Sequence, residues 1–246
     1  MQRDNEPIVN APPVVGWTIA ALVAIHIARQ FLGPDDESQI ILLFAFIPAR
    51  YDPSFAFQSA FPGGIAGDIW TFVTYSALHG DAMHLVVNSV WLLAFGSAVA
   101  WRFGGARFLA FAAVTSACGA AMHLLFHYGE PVPMIGASGA ISGLTAAAIR
   151  FIFEAGGPLG AFRRRGRGAF AVPAVPLIDL VRSQQIMVFV AIWFGINLVY
   201  AIGAWSSGGE SSIAWEAHIG GFIAGLVLFP LFDPKLPVGF NGLRSA

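Results

Sequence analysis

From Ala82 to Tyr128 the chain contains only two residues among Asp, Glu, Lys and Arg. These are Arg102 and Arg107, and both sit between two apolar stretches, Ala82 to Trp101 and Phe108 to Tyr128. Each stretch approaches the roughly 20 residues a helix needs to cross hydrocarbon. No water is available there for backbone N–H and C=O groups, so a spanning segment must satisfy them within itself or within a closed barrel. The length of each stretch is that of a helix. Over the whole chain 57% of residues are hydrophobic and 11% charged, against about 25% charged in a soluble domain. The sequence therefore predicts an integral membrane protein, an all-α polytopic helical bundle.

Four further stretches complete a set of six spans: Val14 to Leu32, Ser138 to Phe153, Ile186 to Trp205 and Ile213 to Phe232. The first lacks a basic n-region and a small-residue cleavage site, so it reads as an anchor and not as a removed signal peptide. Gly33 to Thr74 reads as a long connection whose apolar pieces, Ile40 to Ile47 and Phe55 to Phe61, are broken by prolines and lie partly in the interface. Residues 1–13 and 233–246 are expected as tails around one membrane domain, 14–232. Arg102, Arg107, the cluster Arg163, Arg164, Arg165 and Arg167, and Lys235 with Arg244 all fall on one side of these spans. The positive-inside rule then makes both termini cytoplasmic. The short tails, with no transit peptide, suggest a bacterial inner membrane. The single cysteine, Cys118, excludes an internal disulfide and a cysteine zinc cage. A net charge of −1 gives no footprint for nucleic acid.

Three polar sites fall at one depth, near the outer ends of their spans. Ser138 follows Gly136 and precedes Gly139 where a loop enters the fourth span. A hydroxyl in hydrocarbon needs a partner, and helix packing is the plain alternative to chemistry. His218 lies near the outer end of the sixth span, and an ionisable residue there is a functional candidate by default. Gly221 and Gly225 share its helix face. With Gly139 and Gly143 they would let two backbones approach closely. His84 and Asn88, four apart at the start of the second span, can donate hydrogen bonds to a developing oxyanion. A nucleophile, a base and oxyanion donors at one depth make a serine hydrolase constellation. A metal site at His79, His84 and His218 is a weaker alternative. The chain contains no His-Glu-x-x-His, and its aspartates lie in tails, loops or span ends, which argues against metalloprotease and aspartyl types.

His79-Gly80 with His84 and Asn88, Gly136-Ala137-Ser138-Gly139, and Ala217-His218 with Gly221 and Gly225 together resemble the rhomboid family of intramembrane serine proteases. The resemblance covers most of Trp70 to Gly225. It implies Ser138 as nucleophile and His218 as general base in a dyad without a carboxylate. It also implies an oxyanion hole from His84, Asn88 and the Ser138 N–H, and a structural place for His79 near the site. No cofactor or metal is implied, and the implied partners are transmembrane protein substrates and the bilayer, with no oligomeric state indicated. A catalytically silent relative that binds transmembrane helices is the rival reading. The chain departs from many relatives in two places. Ala100 stands where a glutamate tethers the cytoplasmic turn, and Ser142 stands where an aromatic stacks on the catalytic histidine. Trp215 or groups of the second span are the candidates for orienting His218 instead.

Overall fold

A computed structural model describes residues 11–56, 61–164, 166–206 and 214–234. Among the described residues every regular element is helical. Apolar helices run as α1 (Pro13–Arg29), α4 (Ala82–Trp91) continuing through a π-helical turn at Leu92–Gly96 into α5 (Ser97–Phe103), α6 (Gly105–His127), α7 (Ser138–Ile149), α9 (Gln184–Ser206) and α10 (Trp215–Phe232). The α4–α5 rod, α6 and α10 are each long and apolar enough to cross a membrane alone. The molecule is an all-α polytopic membrane bundle. Lys235, Arg244 and Arg165, and most of both expected tails, lie outside the described residues, as do residues 57–60 and the expected start of the sixth span at Ile213.

The core is α7, set between α6 and α10. Every residue of α7 from Gly139 to Ile149 is buried. It can be enclosed because its neighbours come to backbone contact: a Cβ on Gly221 would fall on the Gly139 carbonyl, and one on Gly225 on the Gly143 backbone. Small residues at such crossings trade side-chain bulk for close backbone packing, which is how helices associate where the hydrophobic effect is absent.

Two expectations are corrected. The connection Gly33 to Thr74 contains two helices of its own, α2 (Pro34–Phe44) and α3 (Gly64–Thr74). Pro34 opens α2 at the position where its missing N–H is harmless, and Asp35, Asp36 and Glu37 in the first turn favour the helix dipole. Two arginines hold these pieces together, Arg50 within the connection and Arg29 at the end of α1. Arg50 donates to the Leu42 and Pro62 carbonyls, and Arg29 pairs with Glu37 and donates to the His79 carbonyl at 2.8 Å. The fourth span is also shorter than the expected reach to Phe153, because α7 ends at Ile149. Arg150 then turns its guanidinium to the carbonyls of Val175 (2.9 Å) and Leu226 (3.3 Å), and the chain enters turns.

At that same end, Arg102 is buried and pairs with Asp233 through two hydrogen bonds, 2.6 and 2.8 Å. Its remaining nitrogen reaches the Phe170 and Val172 carbonyls. This pair ties α5 to the end of α10, while Ala100 is buried among apolar side chains. A short α8 (Leu177–Leu180) links to α9.

Candidate active site

The loop that delivers Ser138 is anchored on both sides. Phe46 and Met134 exchange backbone hydrogen bonds at 3.1 and 2.8 Å, joining the chain after α2 to the loop before α7. The Gly136 N–H donates to the Tyr75 carbonyl at 3.0 Å. Tyr75 is buried, its hydroxyl donating to the Ser116 carbonyl, and it packs where a Cβ on Gly139 would sit, 2.7 Å away. Gly136 has φ +121°, which side chains rarely adopt, and a Cβ there would lie 2.6 Å from His84 Nε2. Glycine is therefore required twice over, by backbone angle and by the approach of the imidazole.

Ser138 is the first residue of α7. Its N–H is one of the helix's unsatisfied amino-terminal donors, in a position that favours negative charge. Its hydroxyl lies 2.7 Å from His218 Nε2. The histidine stands on α10, one turn before Gly221, so the glycine contact with α7 sets the separation of the two side chains.

The other imidazole nitrogen, His218 Nδ1, is hydrogen bonded to Asn197 Oδ1 on α9. Asn197 Nδ2 donates to the Trp193 carbonyl one turn back at 2.7 Å, which leaves its oxygen facing the ring. An amide oxygen only accepts, so Nδ1 carries the proton and Nε2 presents its lone pair to the serine. That is the tautomer a general base needs. The candidates for orienting His218 are thus corrected. Trp215 faces Phe126, with ring centroids 6.0 Å apart, and the orienting group comes from the fifth apolar helix. Ser142 is satisfied by its own helix, donating to the Ser138 carbonyl at 2.7 Å. Trp193 stacks on Phe222 of α10 at 4.7 Å, fixing the turn that carries Asn197.

The sequence carried one signal for Asn197. It is the lone amide in an otherwise apolar span, and nothing in spacing alone says which way it faces.

A family model of the rhomboid domain matches residues 66–234. The chain belongs to the rhomboid family. The match takes in every residue of the site and leaves α1 and α2 ahead of it. In this rhomboid domain His84 and Asn88 lie on one face of α4, with His84 against Gly136. Asn88 is buried and donates one amide proton to the His84 carbonyl at 3.0 Å, keeping a second for another acceptor. Asp81 caps α4 by accepting from the His84 N–H at 2.8 Å, which holds its carboxyl below the usual range. His79 is buried with its ring 5.1 Å from that of His84. The suggested metal set of His79, His84 and His218 loses its third member, because His218 Nε2 is engaged by Ser138.

Proposed function

We propose that this rhomboid is an intramembrane serine endopeptidase that cleaves transmembrane segments of membrane proteins near the outer leaflet through an acyl-enzyme. The observation that carries this reading is the 2.7 Å contact of Ser138 Oγ with an imidazole nitrogen whose partner nitrogen is held by Asn197.

In this mechanism a substrate helix unwinds locally and presents a peptide carbonyl to Ser138. The hydroxyl proton passes to His218 Nε2 as the oxygen attacks. The oxyanion is met by the Ser138 N–H at the start of α7 and by His84 and Asn88. The protonated imidazole returns its proton to the leaving amine, and water then cleaves the ester along the same path. Asn197 keeps the ring in its productive tautomer and does not touch substrate. Both termini face the cytoplasm of a bacterial cell in this reading, which puts the site at the outer face.

The first test is labelling of purified, detergent-solubilised protein with a fluorophosphonate. Wild type should label, and Ser138→Ala and His218→Ala should not. Asn88→Ala should slow cleavage by roughly 10²–10³, the usual loss for one oxyanion donor. A folded wild type that neither labels nor cleaves any membrane-helix substrate would leave the silent helix-binding relative as the better account.

A further inference from the structure

Outside the Ser138–His218 pair, three ligand-type side chains converge where the last turns of α6 meet the first turn of α10. His123 and His127 are four apart and share a face of α6, with ring centroids 4.3 Å apart. Glu216, one residue into α10, points between them. Its Oε1 is 3.1 Å from His127 Nε2, and its Oε2 is 3.6 Å from His123 Nδ1. The three ligand atoms all lie within 4.8 Å of one another. His123 and Glu216 are 7% and 5% exposed, so this is an interior arrangement and not a solvated surface pair.

Two details point to a cation between them. First, among the described residues His123 Nδ1 is buried with no group in hydrogen-bond reach, its nearest neighbour being the Glu216 carboxylate at 3.6 Å, an ion pair only when the ring is protonated. An unpartnered buried nitrogen is costly, and few native sites keep one without a reason. Second, the far nitrogen of His127, Nδ1, lies 2.8 Å from Glu130 Oε2. A carboxylate on the outer nitrogen of an imidazole is the usual support of a metal-ligating histidine, because it fixes which nitrogen offers its lone pair. Set between Glu130 and Glu216, the His127 ring donates from both nitrogens when protonated, and a cation that displaces the Nε2 proton takes that proton's place between the ring and Glu216.

We propose that His123, His127 and Glu216 form a three-ligand site for a divalent transition ion of the Zn²⁺ class, with Glu130 as its outer partner. Two imidazoles and a carboxylate suit Zn²⁺ and its neighbours, whereas Ca²⁺ and Mg²⁺ favour all-oxygen sets. Three protein ligands leave a coordination position open. The half-buried His127 gives the ion a way in from the surface. A bound ion staples α6 to α10 two residues ahead of His218, so it holds the helix that carries the imidazole. The site does not depend on whether the chain cleaves anything.

The test uses untagged full-length protein in detergent, stripped with a chelator and titrated with Zn²⁺ by calorimetry and with Co²⁺ by visible absorption. Wild type should bind one equivalent. Glu216→Gln and His123→Gln should each weaken binding by more than about tenfold, and Glu130→Gln by a smaller factor within the roughly 10–100-fold range of outer-partner losses. His84→Gln should bind as wild type does. His127→Cys should bind Co²⁺ and gain a cobalt–thiolate charge-transfer band, a new signal that a merely unfolded variant would not supply at one equivalent. No binding by folded wild type, unchanged affinity in both Glu216→Gln and His123→Gln, loss of binding in His84→Gln, or a cobalt complex of His127→Cys without that band would each overturn the proposal.

Discussion

α7 and α9 are both apolar helices beside the same histidine, yet they are built in opposite ways. α7 is enclosed on all sides, and its sequence is mostly glycine, alanine, serine and threonine. α9 is rich in isoleucine, valine, phenylalanine and tryptophan, and between residues 184 and 199 only Ile186 and Trp193 are buried. In water this pattern would be inverted, with the large apolar side chains inside. In hydrocarbon an exposed isoleucine loses nothing, so apolarity no longer separates interior from exterior. Size does. In these two helices the small residues of α7 mark where backbones meet, and most of the large ones of α9 face outward. From its loosely held position α9 still supplies two directed contacts, Trp193 on Phe222 and Asn197 on His218.

The contrast can be broken most forcefully at Gly221. Gly221→Leu would push a side chain into the Gly139 backbone, and no rotamer change relieves a clash with a peptide unit. Cooperative unfolding in mixed micelles and fluorophosphonate labelling should both be lost. A folded, labelling Gly221→Leu protein would show that α7 and α10 do not need to touch.

A smaller effect is expected at Asn197. Asn197→Ala removes one neutral hydrogen bond of about 1 to 1.5 kcal/mol, which corresponds to about a tenfold loss of rate. The loss should appear in kcat with KM unchanged, and the pH profile should shift, because the released Nδ1 no longer selects the tautomer. An equal loss in unfolding stability with no change in the pH profile would make Asn197 a packing residue only.

The smallest change should follow Gly195→Ala. Among the described residues nothing lies within 4 Å of a Cβ at that position. The added methyl should leave labelling intact and stabilise the helix by roughly 0.5–1 kcal/mol, the usual glycine penalty removed. Destabilisation on the scale of Gly221→Leu would mean that α9 is packed as closely as α7.

The candidate site was legible from the sequence in proportion to how far its residues depended on depth alone. Ser138, His218, His84 and Asn88 sit near span ends, and a span's length and orientation are enough to bring them to one level. Gly221 and Gly139 were legible because four-residue spacing puts small residues on one face. Asn197 was visible as a polar residue but not as a partner, because azimuth around a uniformly apolar helix leaves no periodic trace. His123, His127 and Glu216 were missed for a related reason. Two histidines on α6 acquire meaning only when another helix brings a carboxylate between them. The helices α2 and α3 were hidden by prolines that here begin or flank short elements.

The sequence by itself determined the solvent and the class of fold. A chain with so few charges and several runs of bilayer length has to bury its backbone hydrogen bonds in helices. It also placed the serine and the histidine at one depth. Which helix lies inside, how α9 turns its one amide to His218, and which carboxylate meets the α6 histidines were decided by tertiary structure. The reason is that a membrane helix keeps the same internal hydrogen bonds and apolar exterior at every rotation about its axis. Only contact with other helices, through their glycines and their few polar groups, selects one.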